Sequence, residues 1–217
     1  MRPHKKAVPK GCTAVMNRRV EPPDSLDYFP TLPFATRALT RFVIPEASGD
    51  CLEPACGEGH MARPLAEHFE KVWASDIFDY GYGEVRDFLQ DGGLWGDAFS
   101  ERSFDWVITN PPFIKAEAFV KRGLSLARCG VAIFIRTTFM ESEGRWDDLF
   151  SQRPPSVIAQ FVERVPLYKG RLNPGGSTAT AYCWVVWGLT SPAAQGDTRF
   201  MWIPPCRRAL ERPEDYR

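Results

Sequence analysis

The segment Leu52-Glu53-Pro54-Ala55-Cys56-Gly57-Glu58-Gly59-His60-Met61-Ala62, with Val72-Trp73-Ala74-Ser75-Asp76 a short way downstream, decides the fold class. The residues leading to Leu52-Glu53 read as the end of a strand, and from Met61 to Phe69 apolar positions recur at helical spacing. Gly57 and Gly59 fall between the two, where a strand must turn into a helix and where a missing Cβ lets backbone approach a bound molecule. Lys71 to Ser75 then reads as a second short strand that ends at the carboxylate of Asp76. Strand, glycine turn, helix and acid-terminated strand make one parallel crossover unit.

The same alternation continues outward. A strand over Phe104 to Thr109, a helix over Lys115 to Ala127 and a strand over Val131 to Arg136 follow, the last apolar enough to be covered on both faces. A helix from Trp146 to Phe150 and strand candidates Val157 to Val165 and Thr178 to Val186 complete a sheet of about seven strands. Upstream, Phe34 to Val43 has helical periodicity, with Thr31 placed to cap it. The expected fold is therefore α/β and Rossmann-like, a mostly parallel seven-stranded sheet with helices on both faces. Residues 1–27, rich in Pro and basic groups, read as an arm, 28–205 as the folded domain, and 206–217 as a tail.

The residues around the glycines narrow the ligand. Gly57-x-Gly59-x-x-Ala62 followed by Asp76 also fits a dinucleotide site, so glycine spacing alone leaves two readings open. Glu53-Pro54 distinguishes them, because a carboxylate at the strand end suits a cationic ligand, such as a sulfonium carrying an ammonium, and repels a pyrophosphate. Asp76 is positioned to accept from the two hydroxyls of a ribose.

Asn110-Pro111-Pro112-Phe113 follows the buried-strand pattern Asp105 to Thr109 and so emerges at the same carboxyl rim as the glycine turn. Two prolines stiffen the backbone, which offers the Asn110 side-chain oxygen and the Pro111 carbonyl as two fixed acceptors, with the Phe113 ring beside them. A conjugated amino nitrogen is a poor nucleophile. Two acceptors that hold its hydrogens would localise the lone pair, and an aromatic face would fix the ring plane, so that chemistry proceeds by positioning and electrostatics.

Taken together, Glu53-Pro54-x-x-Gly57-x-Gly59, Asp76 and Asn110-Pro111-Pro112-Phe113 resemble the ordered motifs of class I S-adenosylmethionine-dependent methyltransferases that act on amino groups, in particular small prophage-type N6-adenine DNA methyltransferases. The similarity covers roughly residues 25 to 190, and Asp27-Tyr28-Phe29-Pro30-Thr31-Leu32-Pro33-Phe34 resembles the segment that closes over the methionine end of the cofactor. The resemblance implies S-adenosyl-L-methionine as cofactor. It implies a binding set of Phe29, Thr31, Glu53, Pro54, Ala55, Gly57, Gly59, Asp76, Ile77 and Asn110, plus an Asp-Phe pair for the adenine ring. Asp87-Phe88 is favoured for that pair over Asp97-Ala98-Phe99. It further implies transfer to adenine N6 in DNA, with RNA adenine, a protein glutamine, or a noncatalytic cofactor-binding subunit as alternatives. Restriction-associated relatives carry a separate target-recognition domain, and no segment of that size follows Asn110 here, so a specificity partner or a second copy of the chain is an expected associate.

Composition bounds the partners. Lys plus Arg and Asp plus Glu both total 27, so a nucleic acid would have to meet a local basic patch, for which Arg136, Lys169 and Arg171 are the candidates. Six scattered cysteines with no C-x-x-C and only three histidines argue against a metal site and suit a reducing, cytoplasmic setting. No window approaches the ~18 apolar residues of a membrane span.

Overall fold

The computed structural model describes residues 27–90, 102–173, 175–189 and 197–216. A single sheet holds eight strands: β1 (Asp50–Glu53), β2 (Lys71–Asp76), β3 (Glu84–Val85), β4 (Phe104–Thr109), β5 (Ala127–Arg136), β6 (Val157–Phe161), β7 (Tyr182–Gly188) and β8 (Arg199–Ile203). Their order is β3-β2-β1-β4-β5-β7-β6-β8. All pairings are parallel except those of β7, which runs antiparallel to both β5 and β6. The chain order reverses at β1, whose neighbours are β2 and β4, and a reversal of this kind opens a crevice at the carboxyl rim.

Helices cover both faces. On one, Phe34 and Leu39, from α1 (Pro33–Ala38) and the wider turn after it (Leu39–Val43), join a cluster with Phe134 and Trp184, and the Trp184 indole N–H donates to the Ala35 carbonyl at 2.9 Å. On the other, Phe119 and Val120 of α3 (Ala116–Leu126) pack with Ile133 and Val185. The alternation of these residues along β5 and β7 divides them between the two faces, as a strand requires.

Several elements differ from the sequence expectation, each for a local reason. The sheet has eight strands rather than seven: β3 is only two exposed residues long, and β8 lies beyond the last expected strand. Strand β6 stops at Phe161 rather than Val165, and β7 starts at Tyr182 rather than Thr178. The helix expected over 61–69 is regular only in α2 (Ala62–Leu65) and then passes into turns. Thr31 does not cap α1; the N-cap is Leu32, with Pro33 in the first helical position, where its fixed φ suits a helix start.

A short α4 (Glu143–Arg145) precedes the turn at 146–150, and α5 (Arg207–Leu210) lies near the end of the described chain. The segment read as a tail is packed: Cys206 and Leu210 are buried, and Arg37 donates to the Leu210 carbonyl at 2.8 Å and to Asp215 at 2.7 Å. No helix among the described residues is long and apolar enough to cross a membrane.

Candidate active site

Because β1 and β4 are adjacent and parallel, with Leu52 beside Val107, the turns that follow them open side by side on the carboxyl rim. Between them lies a cleft of about 320 Å³, lined by Glu53, Pro54, Asp76 and Asn110 among others. The glycine turn is built for its bend. Gly57 and Gly59 have φ of +50° and +81°, a region that costs other L-residues energy. The Gly57 N–H donates to Asp76 Oδ2 at 2.9 Å, which ties the turn after β1 to the end of β2.

Two carboxylates face this cleft with little to neutralise them. Glu53 is 1% exposed, and its Oε2 is buried with no hydrogen-bond partner among the described residues. Burial pushes its carboxyl well above the usual range, and the nearby Asp76 adds to the rise. Asp76 is also raised by burial, against the lowering effect of the Gly57 and Phe78 amides that it accepts. A buried acid without a partner is costly unless a ligand supplies one, so the pair suits a guest with a positive group and hydroxyl donors. Among the described residues no group of His, Cys, Asp and Glu could hold a metal ion.

Opposite the glycines, residues 27–32 cross the cleft as a strap without regular secondary structure. The Tyr28 ring fills the space into which a Gly57 side chain would project, and its hydroxyl lies 3.1 Å from Glu58 Oε2. The Tyr28 carbonyl accepts from the Gly170 N–H at 2.9 Å. The strap then grips the turn after β4. Asp27 accepts from the Phe113 N–H at 2.8 Å, while Asn110 Nδ2 donates to the Phe29 carbonyl at 2.7 Å and to Thr31 Oγ1 at 2.9 Å. Both amide hydrogens of Asn110 are thereby used, and its Oδ1 has no partner among the described residues.

No family model matches this sequence, and no curated protein does. Solved structures do. A modification subunit assigned to a type I restriction enzyme of Vibrio vulnificus aligns with TM-score 0.57 at 16% identity, covering 81% of this chain and 47% of that one. The type I restriction-modification methyltransferase subunit of Streptococcus thermophilus gives 0.53 at 10% identity over 78% and 45%. A predicted O-methyltransferase from Agrobacterium tumefaciens gives 0.51 at 14% identity over 80% and 85%. The fold is the methyltransferase fold. This chain spans about half the length of the two modification subunits, and the third comparison shows that the same fold also hosts a protein named for oxygen as acceptor.

Within the methyltransferase fold, the expected residues divide by location. Phe29, Thr31, Glu53, Pro54, Ala55 and Asp76 line the cleft, as do Ile77, Asp87, Phe88, Asn110 and Pro112. The competing pair Asp97 and Phe99 lies outside the described residues, as does most of the arm at 1–27. Gly57 and Gly59 are not among the lining residues, but they let rings close on the turn: an added Cβ would strike the cleft-lining Tyr28 at Gly57 and Tyr82 at Gly59. Pro111 is buried. The Phe113 ring does not line the cleft; it packs beside Phe29 with centroids 5.8 Å apart, and the Arg136 guanidinium lies 4.2 Å from its centroid. Lys169 and Arg171 are exposed on the loop that meets Tyr28 through Gly170 and do not line the cleft.

Sequence reasoning missed Tyr80 and Lys115, and it named Asp27, Tyr28 and His60 only within longer stretches, with no individual role; all five line the cleft. His60 and Tyr28 both meet Glu58, and burial lowers the His60 imidazole against the opposing effect of that carboxylate. Tyr28 and Tyr82 stand against the glycine turn only in the fold, more than about twenty residues away along the chain, so no local signal announced them.

Proposed function

We propose that this chain is an S-adenosylmethionine-dependent methyltransferase acting on an exocyclic amino nitrogen, with adenine N6 in DNA as the substrate. The observation that carries this reading is the Asn110 amide, whose hydrogens are both committed to the strap at 2.7 and 2.9 Å so that it offers the cleft an acceptor alone. An acceptor at the transfer point selects a nucleophile that still carries hydrogen, and the carbonyl of the adjacent, buried Pro111 would supply the second acceptor that an amino group needs.

The cofactor's demands match the donor set. Glu53, buried and unpartnered, would hold the ammonium of the methionine moiety, and Asp76 would accept from the ribose hydroxyls. Ile77, Asp87 and Phe88 would enclose the adenine. When bound, S-adenosylmethionine supplies an electrophilic methyl group. The protein's own task is to hold the amino nitrogen in line with it, localise its lone pair through Asn110 and Pro111, and exclude water with the strap. The nitrogen would gain the methyl as the carbon–sulfur bond to the sulfonium breaks, leaving a neutral thioether, and would then release a proton to solvent; an amide cannot take that proton as a base, so the role of Asn110 is positional.

DNA is favoured among amino-bearing substrates by the likeness in fold to two restriction-modification methylation subunits. Association with a specificity partner or with a second copy of the chain belongs to the same reading. The test is incubation of the protein with methyl-labelled S-adenosylmethionine and separate pools of unmethylated DNA, RNA and protein, followed by nucleoside and residue analysis. Label in N6-methyladenine of DNA is the expected result; label in RNA or on glutamine would move the substrate, and label on oxygen would refute the amino-nitrogen reading.

A further inference from the structure

We infer that Thr31 is a positioning residue that sets the orientation of the Asn110 amide and so makes the site present an acceptor to the amino nucleophile. The inference rests on the proposed transfer to an amino group and deepens it. A side-chain amide presents two chemically opposite ends, and a half-turn about its last bond exchanges a donor for an acceptor at nearly constant shape. What the cleft offers a substrate therefore depends on which end is held from behind.

Here the holding groups are unambiguous. The Phe29 carbonyl, 2.7 Å from one amide atom, can only accept. The reversed amide would bring Oδ1 against that oxygen, two acceptors at hydrogen-bond distance with no proton between them. Thr31 Oγ1, 2.9 Å away and 3% exposed, takes the second hydrogen. With both N–H groups directed into the strap, Oδ1 is left for the cleft. Neither contact is local: they span 81 and 79 residues, so the strap's position, and not the rigid Asn-Pro-Pro backbone, fixes the polarity of the site. Because Thr31 spends its oxygen lone pair on Asn110 and also lines the cleft, its own hydroxyl hydrogen remains to donate into that cleft.

Removing the hydroxyl while keeping the shape leaves one amide hydrogen buried beside a methyl group, which weakens the lock without emptying the space. Three proteins separate this role from mere packing: wild type, Thr31→Val and Thr31→Ser. With the amino acceptor found for the wild type, Thr31→Val should lower kcat about 10- to 100-fold while the acceptor's KM changes by less than about threefold, and Thr31→Ser should recover kcat to within about threefold of wild type. Wild-type kcat in Thr31→Val, or a Ser variant as slow as the Val variant, would overturn the inference.

A second measurement is independent of turnover. In ¹⁵N-labelled protein the Asn110 side-chain amide, assigned by its loss in Asn110→Ala, should show two well-separated proton resonances protected from solvent exchange, and protection should fall at least about tenfold in Thr31→Val. Equal exchange in the two proteins would refute the lock even if the wild type methylates amines. If the wild type transfers no methyl to any amino acceptor, the reading of function fails, while the exchange data still decide whether Thr31 holds the amide.

Discussion

Glu53→Gln should strengthen the empty protein and weaken its hold on the cofactor, two opposite effects from one oxygen-to-nitrogen exchange. Glu53 is 1% exposed with Oε2 unpartnered, and burial together with Asp76 drives its carboxyl upward. A folded-state carboxyl above its unfolded value means that the native protein binds more protons than the unfolded one, so stability is greatest at low pH and is lost as pH rises toward the folded value. Gln removes that penalty. Gln still buries a polar amide there, so the gain is the proton-linked part alone, about 1.4 kcal/mol for each tenfold by which the fold raises the proton affinity of the carboxyl, or a rise in Tm of about 2–4 °C for each kcal/mol in a protein of this size. The gap between variant and wild type should widen from acid to neutral pH, and Asp76, present in both, cancels from the difference. Binding should respond in the opposite sense, because loss of a buried ion-pair partner costs about 2 kcal/mol or more, about thirtyfold in Kd. Charging Glu53 to meet an ammonium also releases a proton, so wild-type affinity should climb with pH through the raised carboxyl range, and the variant's should climb less, with Asp76 alone of the two acids left to titrate. Thermal melts across pH without ligand, paired with calorimetric titration of S-adenosylmethionine in buffers of different ionisation enthalpy, measure both effects. A variant that binds within about threefold of wild type would refute the assignment of Glu53 to the ammonium.

Other substitutions probe the remaining supports. Asn110→Asp keeps an oxygen in the cleft but sets a carboxylate against the Phe29 carbonyl now 2.7 Å from Nδ2, so turnover should fall about tenfold or more while calorimetry shows cofactor still bound. Gly57→Ala places a Cβ 2.2 Å from Tyr28 Cε2 at a φ of +50°, which should cost about 1–2 kcal/mol in chemical denaturation and displace the strap, seen as a change in tyrosine fluorescence. Asp215→Asn leaves the Arg37 guanidinium, which Asp215 meets at 2.7 Å, with a weaker partner on that side; unfolding should be easier by about 1–3 kcal/mol, and limited proteolysis should release the chain from 206 onward sooner.

The parts of the fold legible in the sequence were those fixed by local pattern. Strand β4, followed by Asn110-Pro111-Pro112, announces itself because a buried run and a double proline are both contiguous signals. The turn at Gly57 and Gly59 does so because positive φ is a property of single residues. What escaped depends on distance along the chain. Strand β8 pairs with β6 some forty residues earlier, and nothing within Arg199–Ile203 states that it has a partner. The closing segment reads as polar and Pro-containing, yet Arg37, 178 residues from Asp215, pins it to the first helix. Thr31 stands where a helix cap belongs, and only the fold reveals that its oxygen serves Asn110 instead. Phe113 sits next to the two prolines, but sequence carries no sign of which way its ring turns.

That same distance dependence explains how one fold can serve different acceptors. The sheet and the acid-lined cleft suit a cationic, ribose-bearing cofactor whatever atom is to be alkylated, and the solved structures that share this fold include a restriction-enzyme modification subunit and a protein named as a predicted O-methyltransferase. Choice of acceptor atom must then be made by groups outside the common frame. In this chain the strap contributes two acceptors that face Asn110, which forces the residue at the rim to be a donor behind and an acceptor in front. An aspartate at 110 would need a proton to satisfy the Phe29 carbonyl, and a hydroxyl nucleophile would find an amide that accepts its hydrogen bond but cannot remove its proton. An amino group needs only the former before transfer and loses its proton after it. On the proposed reading, the polarity of a single amide, set from 79 residues away, is what turns a general methyl-transfer frame toward nitrogen.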